Sequence, residues 1–464
     1  MSRFTMQKRS ILALGFGFLG WCGFPVSLQA QVIPDGSLGS ENSVVRSAVT
    51  VQGTIADLIE GGALRGSNLF HSFEELNTAT GQRVYFANPQ GVNWIFSRVT
   101  GANASDFQGT LGVDGAANLF LLNPQGFLFG AGSTLDLAGS LVVSTAEAID
   151  FGLGNGSVWQ FSAQGQETPP LLTLTLEPGL QAGRVGSILE NRGTLRLGSG
   201  QTLSLVADTI VNRGRIQVPG GRVYLLGKSV ELLDQSSVQV SGTAGGGTIV
   251  VGGQSPILAV NGTNPFPATT ALSLGANARL EANALVQGTG GEIYLSALDR
   301  IDLAGTIEAK GRPGLTRRQA GGGRLEMESN LLSISSAIAT ENVVFRAPSF
   351  VLRDGDGVNQ NNIFYETYLK TLVQTLGVSD LTFSAADGVR SEVIKISAID
   401  FGNPLNTTGD GDSTGSEDQE PIDRVIQDLS VNLTLIGDRN GDGRGNILLT
   451  HDLGTAGGNL TLSG

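Results

Sequence analysis

Pairs of glycines that precede short apolar segments recur along this chain and restrict the folds open to it. Four copies lie at residues 220–225, 246–251, 290–295 and 322–327. Glycine permits tight backbone approach, and the alternation of apolar with polar side chains is typical of a half-buried strand. A loose spacing on the order of 20 to 30 residues corresponds to one rung of a solenoid.

A second repeat supports the same interpretation. Residues 190–195 contain Asn-Arg-Gly before a strand-like segment, and residues 211–216 repeat it. Between the copies, Leu203 and Leu205 are expected to point inward and Ser204 outward. The sequence therefore predicts an all-β fold, a parallel β-helix. A β-sandwich, with turns about every 8 to 12 residues, stays open as an alternative because turn spacing alone does not separate the two.

Composition and charge narrow the class of protein. Of 464 residues, 67 are glycine without the period of collagen, and apolar residues are too frequent for a disordered chain. The net charge of -13 excludes nucleic acid as a partner bound through bulk electrostatics. Cys22 is the only cysteine, so we expect no disulfide. Because Walker and dinucleotide-binding motifs are absent from the sequence, we expect no cofactor.

The first thirty residues have the pattern of a secretory signal peptide. Arg3, Lys8 and Arg9 form a basic start, and residues 11–24 are an apolar run too short to span a bilayer. A small residue, Ala30, ends the segment. We predict that residues 1–30 direct export and are removed, which places the mature protein beyond the cytoplasm.

The tetrapeptide Asn-Pro-Gln-Gly occurs twice between apolar runs. The first copy consists of Asn88, Pro89, Gln90 and Gly91, and the second of Asn123, Pro124, Gln125 and Gly126. Asn at the first position, Pro at the second and Gly at the last favour a type I β-turn. Each copy is therefore predicted to join two short strands.

The two copies belong to an ordered set of motifs that resembles a known family. With residues 71–73, 82–92, 98–101, 109–113 and 117–130, the chain closely resembles the filamentous haemagglutinin N-terminal domain, also called the two-partner-secretion or haemagglutination-activity domain. The resemblance covers roughly residues 31–150. The third position of the tetrapeptide is often Asn in this family and is Gln in both copies here, which puts in doubt any role that needs that Asn amide.

The resemblance implies a fold, a route and a partner. It implies a right-handed parallel β-helix with an N-terminal cap, which a dedicated outer-membrane β-barrel transporter exports to the cell surface after passage through the periplasm. It also implies that the transporter's periplasmic domains recognise this region. At Asn88, Pro89 and Gly91, and at the matching Asn123, Pro124 and Gly126, it implies transporter recognition or cap assembly, whereas ordinary structural turns are the alternative.

The chain divides into five parts at the sequence level. After the signal peptide come the cap and first rungs at 31–150, further rungs at 151–353, an acidic, partly helical insertion at 354–428 and resumed rungs at 429–464. Helix-like apolar spacing at 363–376 motivates the insertion. The pattern continues to the last residue, so we expect a longer exoprotein or a partner that covers the end.

Few residues indicate site chemistry. Asp438, Asn440 and Asp442 follow the spacing of half a calcium loop, but Leu449 stands where an EF-hand has glutamate, so a hairpin turn competes with calcium binding. His71, within the cap, is expected to have a hydrogen-bonded structural role. No nucleophile or metalloprotease motif is present in the sequence.

We therefore predict a secreted, non-enzymatic surface adhesin or scaffold, with surface glycans or cell-surface receptors as candidate partners. Two alternatives stay open: a polysaccharide-acting β-helix enzyme, which would need three or more acids grouped on one face of the solenoid, and the stalk of a contact-dependent toxin.

Overall fold

The computed structural model describes most of the chain. The described residues are 32–152, 158–165, 179–180, 186–252, 268–312, 321–353, 359–365, 368–369, 371–372, 376, 378–379, 380–391, 432–437, 439, 447–449 and 459–463. The predicted signal peptide, 1–30, lies outside them.

The described part of the chain is built almost entirely from strands. The first sixteen are β1 (Val32–Pro34), β2 (Ser43–Val51), β3 (Thr54–Gly61), β4 (Ala63–Arg65), β5 (Asn68–Leu76), β6 (Arg83–Ala87), β7 (Trp94–Val99), β8 (Ser105–Phe107), β9 (Thr110–Asp114), β10 (Asn118–Leu122), β11 (Phe127–Phe129), β12 (Thr134–Asp136), β13 (Leu141–Ser144), β14 (Ala148–Gly152), β15 (Val158–Ser162) and β16 (Gly179–Leu180). A 3-10 turn, Gly39–Glu41, lies between β1 and β2.

The remaining strands continue the same pattern. They are β17 (Ile188–Asn191), β18 (Thr194–Arg196), β19 (Thr202–Asn212), β20 (Arg215–Gln217), β21 (Arg222–Leu232), β22 (Ser237–Gln239), β23 (Thr248–Val251), β24 (Ala271–Leu274), β25 (Arg279–Glu281), β26 (Glu292–Ser296), β27 (Arg300–Leu303), β28 (Thr306–Ala309), β29 (Arg324–Glu328), β30 (Leu331–Ile334), β31 (Ala337–Thr340), β32 (Asn342–Arg353), β33 (Ile363–Tyr365), β34 (Asp380–Ser391), β35 (Asn432–Ile436), β36 (Ile447–Leu449) and β37 (Leu460–Ser463).

Successive rungs stack by parallel pairing that aligns apolar positions. One inward-facing ladder of the main sheet consists, rung by rung, of Leu203, Val223, Ile249, Ile293, Leu325, Val343, Leu381 and Leu433. All of them are fully buried in a core that runs along the solenoid. The predicted parallel β-helix is therefore confirmed, and the sandwich is wrong because its sheets would be antiparallel.

The glycine pairs form one corner of this solenoid. Their second glycines, Gly221, Gly247, Gly291 and Gly323, stand above one another immediately before paired strands. A Cβ atom on any of the last three would overlap the carbonyl oxygen of the glycine one rung earlier. Their backbone angles are open to other residues, so close approach of the backbones is what requires glycine there.

The N-terminal end of the solenoid is capped by antiparallel strands. β1 and β4 both pair antiparallel with β5, and β5 begins the parallel stack by pairing with β7. On a second face, β2 and β3 form an antiparallel hairpin, and β3 pairs parallel with β6. These strands satisfy backbone groups that the first rung would otherwise expose, as the predicted cap requires.

A further hairpin covers the outside of the first rungs. β14 and β15 pair antiparallel, and they carry Phe151, Trp159 and Phe161. These rings pack against Phe70 and Phe96 on the outer face of the main sheet, with centroids 5.0 to 5.5 Å apart where they contact Phe70. The aromatic residues thus form a second, smaller core outside the solenoid.

The structure corrects the predicted insertion at 354–428. Ile363 begins a strand, β33, where a helix was expected; among the described residues that follow, 368–369 and 371–372 have helical backbone. β34, inside the same range, pairs parallel with both β32 and β35, because Leu381 and Phe383 alternate with polar residues and face the core. The solenoid therefore continues through 380–391. The rest of the predicted insertion, 392–428, lies outside the described residues.

Candidate functional site

The first Asn-Pro-Gln-Gly copy is an exposed turn between β6 and β7. Its hydrogen bond runs from the Val92 N–H to the Pro89 carbonyl at 3.1 Å, one residue later than the predicted type I turn. Gly91 therefore occupies the third position with φ of +87°, which L-residues rarely adopt, and a Cβ atom at this position would have no neighbour within 4 Å. Pro89, Gln90 and Gly91 are exposed.

Asn88 connects this turn to the next rung. With its amide oriented to satisfy its neighbours, its oxygen accepts hydrogen bonds from the N–H groups of Ala116 and Ala117 at 3.0 Å, and its nitrogen donates to the Val92 carbonyl at 3.1 Å. The side chain is half-buried. Asn88 therefore fixes the turn from within, while the rest of the tetrapeptide faces solvent.

The second copy, between β10 and β11, has the predicted register. The Gly126 N–H donates to the Asn123 carbonyl at 3.1 Å, which closes a turn from the first to the fourth residue. Asn123 is fully buried; its oxygen accepts from the Gln125 N–H at 3.0 Å, and its nitrogen donates to the Asn103 carbonyl and to Ser105 Oγ at 3.1 Å. This Asn thus joins its own turn to the preceding rung.

Gly126, like Asn123, is enclosed by the neighbouring rungs. Its φ is +117°, and a Cβ atom there would lie 2.5 Å from the Ile188 carbonyl oxygen of the next rung. The Gly126 carbonyl accepts from the Ser105 N–H at 3.1 Å. One tetrapeptide therefore offers its surface to solvent, whereas the other is enclosed between rungs.

His71 lies in the core of the cap, as its predicted structural role requires. Its Nδ1 is 3.1 Å from Ser43 Oγ, and its ring lies 5.4 Å from that of Phe86. Burial lowers the pKa of His71 from 6.5 to about 3. The imidazole is therefore neutral at physiological pH and serves packing, not proton transfer.

Sequence reasoning missed a buried polar cluster beside the cap. Burial alone would raise the pKa of the Asp35 carboxyl, but hydrogen bonds from Ser72, the Ser37 N–H and Thr100 together lower it. Ser72 Oγ donates to Asp35 and accepts from the guanidinium of Arg98. The only signal in the sequence was Arg98 itself, a charged residue inside an apolar strand.

The acids needed for the enzyme alternative are not grouped in the groove that the structure describes. A groove of about 820 Å³ runs along a corner of the solenoid from Arg213 to Gln360. Its described lining contains two acids, Asp234 and Asp302, and the carboxylate of Asp302 forms an ion pair with Arg300 at 2.7 Å.

The calcium candidates Asp438, Asn440 and Asp442 and the second histidine, His451, lie outside the described residues, so calcium binding stays a prediction. Among the residues that the structure does describe, no three potential metal-binding side chains cluster. Within the same part of the chain, no helix has the length and apolar character to cross a membrane.

Comparison with known proteins identifies the N-terminal part of the chain. Residues 30–247 match the family model of the TPS secretion domain. This range extends past residue 150, where the resemblance in the sequence was placed, and includes both tetrapeptides, the hairpin β14–β15 and the first regular rungs. No curated protein matches the chain.

Two solved structures are similar at low identity. The HMW1 secretion domain from Haemophilus influenzae is 13% identical, with a TM-score of 0.44 over 76% of this chain and 94% of that one. The filamentous hemagglutinin secretion domain is 12% identical, with a TM-score of 0.30 over 93% and 99%. At these scores the structures carry no assignment, and the family likeness rests on the match of residues 30–247 to the TPS secretion domain.

Proposed function

We propose that this protein is the exported member of a two-partner secretion system and acts at the cell surface as an adhesin or scaffold. A signal peptide at 1–30 takes the chain to the periplasm, and the periplasmic domains of a dedicated outer-membrane β-barrel transporter recognise the secretion domain. The observation that carries this proposal is the match of residues 30–247 to the TPS secretion domain.

The two tetrapeptides differ in how they could contact a transporter. Pro89, Gln90 and Gly91 are exposed, so they are accessible both before and after folding. Asn123 is fully buried and hydrogen-bonded to the preceding rung, so a transporter could contact it only in the unfolded chain. We propose a direct contact for the first copy and cap assembly for the second.

The outer surface supports adhesion over catalysis. Near the C-terminal end of the main sheet, one outward column is polar and uncharged in three successive rungs, where strand pairing aligns Thr382, Thr434 and Thr461. The corner groove has two acids in its described lining, short of the group of three or more that the enzyme alternative was expected to show. A polar face of this kind suits reversible contact with glycans or receptors.

Export is tested in cells that carry the transporter encoded with this chain. We expect deletion of residues 32–247 to leave the protein in the periplasm and to abolish its release, and removal of the transporter should do the same to the intact chain. The fraction of protein in medium, periplasm and cytoplasm is measured by immunoblot. Release of the deleted chain at the parent rate would refute the proposal.

Adhesion and catalysis are separated with the exported protein. Beads coated with it should bind target cells, and free protein should compete, whereas incubation with polysaccharides should produce no new reducing ends. Asp302→Asn should leave cell binding unchanged. New reducing ends that disappear in the Asp302→Asn variant would instead favour the enzyme.

A further inference from the structure

Arg98 is a buried cation on the outer face of the main sheet. In β7, Ile95 and Val99 point into the solenoid core, and Phe96 and Arg98 point outward. The Arg98 side chain is nevertheless fully buried and is the largest such side chain described. Burial of a guanidinium is costly without several partners, so its environment indicates a specific role.

The partners of Arg98 come from three separate parts of the chain. Its Nε donates to Ser72 Oγ on the adjacent rung at 2.8 Å. Nη2 donates to Ser37 Oγ, just after β1, at 2.9 Å, and Nη1 donates to the Ser162 carbonyl, at the end of β15, at 2.8 Å. The guanidinium also lies 4.4 Å from the centroid of the Phe161 ring. We call Arg98, Ser37, Ser72, Ser162 and Asp35 the Arg98 cluster.

Asp35 completes the cluster from the N-terminal side. Its carboxylate accepts hydrogen bonds from Ser72 Oγ and Thr100 Oγ1, both at 2.7 Å, and from the Ser37 N–H at 2.9 Å. Ser72 therefore links the carboxylate to the guanidinium. The negative charge can balance the buried positive charge only when residues 35–37 are docked against the rungs.

Both segments that contact Arg98 also cover the same aromatic surface. Leu38, next to Ser37, is buried in the outer core with Phe70 and Phe96, and Phe151 and Phe161 of the hairpin pack there too. Residues 35–38 and the hairpin β14–β15 are remote in sequence, because the strands of the first rungs lie between them along the chain. Each segment covers part of an apolar surface and supplies part of the polar environment of Arg98.

We infer that Arg98 is a positioning residue that couples these two segments, so that residues 35–38 and the hairpin β14–β15 close over the first rungs together. With one segment absent, the guanidinium loses a hydrogen-bond acceptor and is partly open to water, which weakens the contacts of the other segment. The N-terminal residues of the mature chain are thereby secured only after residue 162 is in place.

Hydrogen exchange of the folded chain, followed by mass spectrometry, tests the coupling. Ser37→Ala removes one acceptor of Arg98, and the hydrogen bonds described for the Ser37 side chain reach Ser72 and Arg98, not the hairpin. We expect exchange to rise about tenfold both in residues 32–41 and in residues 148–162, since a hydrogen bond to a charged group contributes on this scale. Rungs from residue 188 onward should keep their protection.

Two further variants make the result decisive. Ser140→Ala is the control, because it removes serine hydrogen bonds with Gln201 and Thr202 elsewhere on the rungs. It should leave hydrogen exchange in both segments unchanged. Arg98→Gln should open both segments by the same factor and more than Ser37→Ala does. Faster exchange in residues 32–41 alone after Ser37→Ala would overturn the inference, and so would unequal opening of the two segments in Arg98→Gln.

Discussion

Two identical tetrapeptides occupy opposite environments in this secretion domain. Asn-Pro-Gln-Gly at 88–91 lies at the surface, with free space around Gly91, whereas the copy at 123–126 is enclosed by the rungs on either side. The hydrogen bond of the turn is also displaced by one residue between them. The four residues therefore set the tendency to turn, and the neighbouring rungs set the register, the burial and the role.

Export requires both that the domain folds and that the transporter recognises it, and a secretion assay alone does not distinguish loss of one from loss of the other. A substitution in the second turn is expected to reduce export because the domain cannot assemble. A substitution of the exposed Gln90 side chain in the first turn would reduce export only through lost recognition. Measurements of both stability and export on the same variants can therefore show which turn serves folding and which serves recognition.

The largest difference in stability between the two turns is expected when their glycines are replaced. Gly126→Ala combines a left-handed φ with overlap against the Ile188 carbonyl, so we expect a loss of about 3 kcal/mol or more in the free energy of unfolding. Gly91→Ala has the backbone strain alone and should cost about 1 to 2 kcal/mol. Urea unfolding of both variants measures the difference. Equal losses would show that the enclosure of the second turn has no energetic consequence.

Replacement of the asparagines should also destabilise the second turn more than the first, with a smaller difference in free energy. Asn123→Ala leaves a buried hydroxyl, a carbonyl and an N–H group without their side-chain partner, for an expected loss of about 2 to 4 kcal/mol. Asn88→Ala exposes its former partners to water and should cost about 1 kcal/mol. Asn123→Asp keeps the acceptor but buries a carboxylate against the Asn103 carbonyl, so it should cost at least as much as Asn123→Ala. A greater loss for Asn88→Ala would reverse the roles assigned to the two turns.

Acid should affect the rung that carries the first turn through His71. Its ring packs against Phe86 of β6, the strand that leads into Asn88. Because the pKa of His71 is lowered to about 3, the unfolded chain takes up a proton below about pH 6.5 that the folded chain does not. Stability should therefore be complete above this pH and fall by up to about 1.4 kcal/mol per pH unit below it, until about pH 3.

Urea unfolding between pH 6.5 and 5 isolates this effect. The lowered pKa values of Asp35, Glu41, Glu190 and Glu326 act at lower pH, below their ordinary values. His71→Gln should remove the slope, and His451→Gln, at the only other histidine, should retain it. An unchanged slope in His71→Gln would show that a different group titrates in this range.

Much of the fold was predictable because successive rungs place the same residue types at the same positions. The apolar ladder through Leu203 and Val223 and the glycine corner through Gly247 each depend on one residue type at a fixed place in the rung. The continuation of rungs through β34 was missed because the flanking polar and helix-like segments hid the alternation around Leu381. Pairing with β32 and β35, not local propensity, decides that segment.

The site was predictable only in part. Asn88 and Asn123 were selected by their motif, but no local pattern indicates which turn is buried, since that depends on Ile188 and other residues of later rungs. The Arg98 cluster was not predicted at all. Its members lie in four sequence segments and meet only when the hairpin folds back, so pattern reasoning along the chain does not bring them together.

The smallest effect on stability, and the sharpest test of recognition, is expected at Gln90. Its side chain is exposed at the tip of the first turn, so Gln90→Ala should change the free energy of unfolding by less than about 0.5 kcal/mol. If the transporter contacts this turn, export of Gln90→Ala should nevertheless fall, measured as the released fraction beside the parent chain. Substitution of Gln108, a half-buried glutamine whose amide donates to Asp106, provides a control outside both turns. Parental export of Gln90→Ala, together with loss of export in Asn123→Ala, would assign both turns to assembly and place recognition elsewhere in residues 30–247.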